Sequence, residues 1–135
     1  MRKKLNCILL VDDDSEDNYF HQIVINDMDA ANTVQVAQNG LEALEFLTKE
    51  NQIAPELIFL DINMPKMNGW EFLEAYQKLN ANQRAKVVVA MLTTSMNPAD
   101  QKRAEKFPEI ASFNSKPLTE PVLADILKRY FPDNL

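Results

Sequence analysis

The sequence is short of glycine, cysteine and histidine, and each shortage disfavours a class of function. Its 135 residues contain only two glycines, Gly40 and Gly69, so a glycine-rich phosphate loop is absent and nucleotide binding is poorly supported. The single cysteine, Cys7, excludes an intramolecular disulfide and suits a reducing compartment. It lies in an apolar run, where we expect a buried structural thiol. The single histidine, His21, falls on a predicted helix, and we expect it to have an ordinary structural or surface role.

Basic runs and long apolar segments are also missing. Fourteen Lys and Arg residues against twenty Asp and Glu residues give a net charge of −6, which disfavours nucleic-acid binding through phosphate neutralisation. The apolar stretch after the basic first residues stops at Val11, too soon for a secretory signal, and no segment approaches the length of a membrane span. These features predict a cytoplasmic protein with no nucleic-acid partner and no membrane insertion.

The chain does contain five short apolar runs that alternate with five amphipathic stretches. The predicted strands are Cys7–Val11, Thr33–Ala37, Leu57–Leu60, Val87–Leu92 and Ala111–Phe113. The predicted helices are Ser15–Asp27, Leu41–Lys49, Trp70–Leu79, Pro98–Phe107 and Glu120–Phe131. Continuous apolar strands suit a parallel sheet covered on both faces, and each helix has one apolar stripe. The pattern predicts an α/β fold, a doubly wound (βα)5 three-layer sandwich, in one domain over residues 1–135.

Polar side chains follow four of the predicted strands, at the sheet edge where doubly wound folds bind ligands. Asp12 and Asp13 follow the first strand, and Asp61 follows the third. Thr93 follows the fourth strand, and Lys116 comes after the fifth. Three aspartates at neighbouring strand ends crowd like charges, which raises a carboxylate pKa or recruits a cation. Oxygen ligands suit Mg²⁺, and zinc is disfavoured because histidine and cysteine are missing from these positions.

Mg²⁺ beside a carboxylate indicates phosphoryl chemistry, with Asp61 as the nucleophile that forms an acyl phosphate. The metal ion and Lys116 would neutralise charge on the transferring group, while Thr93 would bond a phosphoryl oxygen. Each residue alone has an ordinary explanation, since acids and hydroxyls often cap helices and a lysine is often a solvated surface charge. Their joint placement at one predicted edge favours a functional site.

Four segments match the motifs of one family in the same order. They are Leu9–Asp14, Leu60–Gly69, Leu92–Ser95 and Phe113–Pro117. The chain therefore resembles the receiver domain of bacterial two-component response regulators, from about Leu5 to Phe131. The resemblance implies a CheY-like sheet with strand order 2-1-3-4-5 and a stand-alone receiver without an output domain.

The resemblance also implies roles for the acidic residues. Asp61 matches the phosphoacceptor, which receives its phosphoryl group from a phosphohistidine on a sensor histidine kinase or a histidine phosphotransfer protein. Asp13 and Asp61 would bind Mg²⁺ directly. Asp12 would act mostly through water, and Asn63 would act through its backbone carbonyl.

The remaining implied roles concern the switch. Thr93 matches the hydroxyl residue that moves toward the phosphoryl group, and Phe113 matches the aromatic switch position. Lys116 matches the phosphate-contacting lysine, and its bond to Pro117 would be cis. Output to a downstream protein, which the sequence does not identify, would pass through the fourth helix, fifth strand and fifth helix.

Two other functions stay open on the sequence. A receiver that no longer uses phosphate would be a constitutive binding module, although the retained site residues argue against it. A small phosphohydrolase with an aspartyl nucleophile is the other, yet Asn63 stands where such enzymes usually place a second aspartate as acid or base. We expect the chain to catalyse only its own phosphoryl transfer and slow dephosphorylation, with Asn63 and Ser95 tuning the attack of water.

Overall fold

The computed structural model describes residues 4–49, 54–80, 88–94 and 97–132. Strands and helices alternate along the chain, as predicted. The strands are β1 (Leu5–Val11), β2 (Ala31–Ala37), β3 (Leu57–Leu60), β4 (Val88–Thr93) and β5 (Ile110–Ser115). The helices are α1 (Ser15–Asp27), α2 (Gly40–Thr48), α3 (Gly69–Tyr76), α4 (Pro98–Ala104) and α5 (Glu120–Tyr130).

The five strands form one parallel sheet with the order β2-β1-β3-β4-β5, which confirms the predicted doubly wound fold. The central strands β1 and β3 are almost completely buried because helices cover both faces of the sheet. The core between the sheet and helices α2, α3 and α4 includes Leu9, Val11, Ile58 and Leu60. The core on the face covered by α1 and α5 includes Ile8, Leu10, Leu57 and Phe59. Successive residues of a strand thus point to opposite faces of the sheet and belong to different cores, as the two-residue period of a strand requires.

The predicted ends of two helices are wrong. We predicted that α3 extends to Leu79 and α4 to Phe107, but the helices end at Tyr76 and Ala104. Beyond these points the backbone forms tight turns, in which the Leu79 N–H donates to Tyr76 and the Phe107 N–H donates to Ala104. Leu79 and Phe107 still pack against the core, so the apolar pattern continues after the helix has stopped.

Two strands, in contrast, are longer than predicted. β1 begins earlier, where Leu5 pairs with Ala31, and β5 continues to Ser115, which pairs with Thr93. Pairing between backbones extends past the apolar residues that the prediction relied on. The predicted first residue of the fourth strand, Val87, lies outside the described residues.

Candidate functional site

The carboxyl ends of β1 and β3 lie side by side and bring three aspartates together. The Asp61 N–H donates to the Val11 carbonyl over 3.0 Å, and the Asp12 N–H donates to Ala37 over 3.0 Å, so both aspartates continue the sheet pairing. Carboxylate oxygens of Asp12, Asp13 and Asp61 all lie within 4.8 Å of one another. Asp12 and Asp61 are buried, whereas Asp13 is exposed. The predicted acidic cluster is therefore present in the fold.

Lys116 places its ammonium group among carboxylates. Its Nζ atom lies 2.5 Å from Asp12 Oδ2, 3.0 Å from Asp17 Oδ2 and 3.6 Å from Asp61 Oδ2, and its side chain is 8% exposed. Burial on its own lowers the pKa of the ammonium, but the hydrogen bonds to Asp12 and Asp17 outweigh it and raise the pKa above the usual value. Lys116 is therefore a permanent positive charge at this edge of the sheet.

The end of β4 and the segment after β5 are joined through the backbone. The Lys116 N–H donates to the Thr93 carbonyl over 2.8 Å, and Thr93 is fully buried. The bond between Lys116 and Pro117 is cis, which confirms the expectation from the family resemblance. Thr93 and Lys116 thus occupy the same edge of the sheet as the aspartates, as the strand-end argument predicts.

The charge state of Asp61 reflects its surroundings. Burial, together with the neighbouring charges of Asp12 and Asp13, raises the pKa of its carboxyl to about 6. The Lys116 ammonium and the Ile62 N–H, which donates to Asp61 Oδ1 over 2.9 Å, act in the opposite direction. Asp61 is therefore a carboxylate above about pH 6 and is available as a nucleophile at neutral pH.

The loop between β3 and α3 fixes the backbone of Asp61. The Gly69 N–H donates to the Ile62 carbonyl over 2.8 Å, and a Cβ atom at Gly69 would lie 2.5 Å from the Asp61 carbonyl oxygen. Only glycine allows the start of α3 to approach this closely. Asn68 caps the helix with its side chain and forms a capping box with Glu71. Gly69 and the capping box of Asn68, both recognisable in the sequence, therefore fix the conformation of the loop that begins at Asp61.

Asn63 and Phe113 lie outside the cluster of carboxylates. Asn63 is exposed in the loop after β3. Phe113 is half-buried in β5, where it pairs with Met91 and packs against the core. Their roles as metal ligand and aromatic switch remain predictions, and Ser95 lies outside the part of the chain that the structure describes.

Two residues of α1 that contact the site were not predicted from the sequence. Asp17 binds Lys116, and the Asn18 side chain donates to the Asp12 carbonyl over 2.8 Å. Neither contact has a local signal in the sequence, because each depends on how the first turn of α1 packs against the strand ends. His21, on the same helix, is buried, and burial lowers its pKa, so it is a neutral side chain. This agrees with the structural role expected for it.

The cluster suits a divalent cation. Asp12, Asp13 and Asp61 offer oxygen atoms only, and those atoms are close enough together for one ion to contact several of them. Three aspartates face one lysine here, and burial together with the charges of Asp12 and Asp13 raises the pKa of Asp61, so a bound cation would stabilise the ionised cluster.

No helix in the described parts of the chain is long and apolar enough to cross a membrane.

Comparison with known proteins agrees with the geometry. The family model of the response regulator receiver domain matches residues 8–128. The chain belongs to this family. It is 30% identical over 128 residues to sporulation initiation phosphotransferase F of Bacillus subtilis, and the alignment covers 93% of each protein. The crystal structure of a two-component response regulator from Cytophaga hutchinsonii is similar with a TM-score of 0.82 at 29% identity, covering 94% of this chain and 97% of that one.

A second relative of this receiver domain is response regulator Rcp1 of Synechocystis. It is 37% identical over 97 residues, which cover 69% of this chain and 65% of Rcp1. The crystal structure of the Mn²⁺-bound form of Rcp1 is similar with a TM-score of 0.72 at 29% identity, covering 92% of this chain and 88% of that chain. The chain is thus a response regulator receiver domain whose acidic pocket is consistent with a phosphoacceptor role in two-component signalling. A receiver that works without phosphate is not favoured.

Proposed function

We propose that Asp61 of this receiver domain accepts a phosphoryl group from a phosphohistidine on a sensor histidine kinase or a phosphotransfer protein. An oxygen of the Asp61 carboxylate attacks phosphorus, the phosphorus–nitrogen bond breaks, and the imidazole of the donor leaves with the bonding electrons. The observation that carries the proposal is the buried Asp61 carboxylate, which lies 3.6 Å from the ammonium of Lys116 and beside two further aspartates.

Each neighbouring residue has a part in this reaction. The Lys116 ammonium is fixed at the place where negative charge gathers on the transferring group, so it stabilises that charge without having to move far. Thr93 ends the strand next to Asp61, and its hydroxyl is the group that would bond a phosphoryl oxygen. The Ile62 N–H holds Asp61 Oδ1, which supports attack by the other oxygen, Oδ2.

The metal ion would be Mg²⁺, held by Asp12, Asp13, Asp61 and the carbonyl of Asn63. The oxygen-only donor set supports a hard cation, and the Mn²⁺-bound form of Rcp1 supports a divalent one. When bound, the ion would offset charge on the phosphoryl oxygens and on the carboxylates. The chain's own contribution is to hold these side chains together on neighbouring strand ends.

The output would be a change in binding to another protein. Thr93 and Phe113 lie on neighbouring strands β4 and β5, so a movement of Thr93 toward the phosphoryl group would alter the packing around Phe113. A phosphoryl group that favours one of two arrangements would shift the population between them. The downstream partner would bind the surface formed by α4, β5 and α5, and its affinity would differ between the two arrangements.

Incubation with acetyl phosphate and Mg²⁺, followed by intact mass spectrometry, tests the proposal. We expect a covalent adduct of one phosphoryl group in the wild type and none in Asp61→Asn. Asp125→Asn is a suitable control, because Asp125 is an exposed aspartate on α5 and is remote in sequence from Asp61. This variant should form the same adduct as the wild type. A wild type that gives no adduct, or an adduct that survives in Asp61→Asn, would contradict the assignment of Asp61.

Beryllofluoride provides a second arm that does not depend on the lifetime of the acyl phosphate. Its addition with Mg²⁺ should shift the NMR signals of residues around Thr93 and Phe113 in the wild type. Omission of Mg²⁺ should abolish the shift, which separates a metal-dependent site from simple anion binding. Rapid multiple turnover of a small phosphate ester would instead indicate a hydrolase.

A further inference from the structure

We propose that Asp17 is a positioning residue for Lys116, which it orients for contact with the phosphoryl group. The inference rests on the proposed function of Asp61. Asp17 belongs to the first turn of α1, and its carboxylate lies 3.0 Å from the Lys116 ammonium although the two residues are 99 positions apart. Its side chain is 37% exposed, so burial does not force it into this place.

The hydrogen-bond capacity of an ammonium group limits the number of oxygen atoms that Lys116 can bind. Lysine has three N–H donors and no acceptor. The contacts of Lys116 with Asp12, at 2.5 Å, and with Asp17, at 3.0 Å, occupy two of the donors. Asp61 Oδ2, at 3.6 Å, lies beyond hydrogen-bond distance. The third donor therefore remains for an oxygen of a phosphoryl group carried on Asp61.

Asp17 differs from Asp12 in one respect that matters for the reaction. Asp12 belongs to the three aspartates whose oxygens are close enough to share a cation, whereas Asp17 lies outside that group. A cation bound to the Asp12 carboxylate would weaken the hydrogen bond that Asp12 accepts from Lys116. With a cation bound, Asp17 would still accept its hydrogen bond from the Lys116 ammonium.

The backbone of Asp17 is held as well. The side chain of the N-cap residue Asp14 accepts a hydrogen bond of 3.1 Å from the Asp17 N–H, which fixes the start of α1. The position from which the Asp17 carboxylate reaches Lys116 is therefore set by the helix cap. This gives the contact a rigid support on the α1 side.

Two variants separate the hydrogen bond from the charge. Asp17→Asn and Asp17→Ala both remove the negative charge, but only asparagine keeps an oxygen that accepts a hydrogen bond from Lys116. We expect phosphorylation by acetyl phosphate at saturating Mg²⁺ to be about three- to tenfold slower in Asp17→Ala than in Asp17→Asn, the range for one charge-assisted hydrogen bond at a partly exposed site. Mg²⁺ affinity, titrated without phosphodonor, should be equal in the two variants.

The same pair in a Lys116→Ala background completes the test. There the ratio of the two rates should fall to about one, because the ammonium that Asp17 orients has gone. Glu16→Ala, which removes an exposed acid from the same helical turn, should leave the rate within about twofold of the wild type. Circular dichroism establishes that each variant is folded.

Three outcomes overturn the inference. Equal rates in Asp17→Asn and Asp17→Ala would mean that Asp17 does not position Lys116. A faster rate in Asp17→Ala would mean that Asp17 competes with the phosphoryl group for the ammonium. A wild type that forms no adduct overturns the proposed function together with this inference, whereas the first two results leave the proposed function standing.

Discussion

The substitution Asp61→Asn should stabilise the metal-free protein at neutral pH. Burial and the charges of Asp12 and Asp13 raise the pKa of Asp61 from 3.8 to about 6, so the ionised carboxyl is less stable in the folded chain than in water. Each pKa unit corresponds to about 1.4 kcal/mol, which gives a gain of about 2–3 kcal/mol in the free energy of unfolding when a neutral amide of similar shape replaces the carboxylate. The amide oxygen can still accept the hydrogen bond from Ile62.

The pH dependence follows from the sign of the shift. Above about pH 6 Asp61 is ionised in the folded and the unfolded chain, and its full destabilising effect is present. As the pH falls through about 6 toward 3.8, the folded chain takes up the proton first, and the effect disappears. The advantage of Asp61→Asn should therefore be constant at about pH 7–8 and shrink as the pH approaches about 4.

Urea denaturation in the presence of a chelator, followed by far-ultraviolet circular dichroism, measures the effect. Glu74→Gln removes an exposed carboxylate from α3 and should change the free energy of unfolding by less than about 0.5 kcal/mol. Saturating Mg²⁺ should narrow the gap, because the ion stabilises only the wild-type cluster. A variant that is less stable than the wild type at about pH 8, or a gap that does not change with pH, would refute the electrostatic reasoning.

Three further predictions follow from the same geometry. Mg²⁺ affinity should fall about tenfold for each pH unit below about 6 and level off above it, because a proton on Asp61 excludes the ion. Calorimetric titration at several pH values, with the wild type compared with Asp61→Asn, checks this dependence. Lys116→Met should bind Mg²⁺ about tenfold more tightly, since a buried positive charge next to the site has been removed, and unchanged affinity in the same titration would contradict it. Gly69→Ala should destabilise the fold by about 1–3 kcal/mol and slow phosphorylation, because its Cβ would lie 2.5 Å from the Asp61 carbonyl oxygen. Gly40→Ala is the comparison in urea denaturation and should destabilise the fold less, since its Cβ would meet side-chain atoms of Met67 rather than backbone.

The positions of the main site residues could be predicted because topology alone determines them. Parallel strands in a doubly wound sheet bring their carboxyl ends to one edge, so residues just after β1, β3, β4 and β5 must lie near one another. The acids Asp12 and Asp61, with Thr93 and Lys116, are recognisable on this ground before any contact is known. The order of the strands and the identity of the residues that follow each strand are sufficient to place these side chains together.

The contacts of Asp17 and Asn18 could not be predicted in this way. They depend on where the first turn of α1 points its side chains and on how α1 packs beside the segment after β5, and neither has a local signal in the sequence. The ends of α3 and α4 were predicted wrongly for a related reason. Apolar periodicity reports which residues reach the core, and Leu79 and Phe107 reach it from turns rather than from helix.

The charges around Lys116 lead to a last prediction, which concerns the phosphorylated chain. Three carboxylates, those of Asp12, Asp17 and Asp61, lie within 3.6 Å of one ammonium, and Asp13 lies beside two of them, so negative charge is in excess before any phosphoryl group arrives. A proton, a cation or an amide at Asp61 relieves the excess, whereas a phosphoryl group replaces one negative charge by nearly two. If phosphorylation requires a cation as proposed, the charge of the resting site would contribute to that requirement as well as the chemical step.

Removal of the cation after phosphorylation tests how the excess negative charge affects the stability of the fold. Wild type that has been phosphorylated in Mg²⁺ and then transferred rapidly into chelator should unfold at a lower urea concentration than unphosphorylated protein in the same chelator, because the added charge is no longer compensated. Pulse proteolysis within the lifetime of the acyl phosphate measures both species side by side. In Mg²⁺ the order should reverse or vanish, since Lys116 and the ion together balance the phosphoryl group. Equal stability of the two species in chelator would show that the site disperses its charge into solvent, and the electrostatic account of Asp61 would then be wrong.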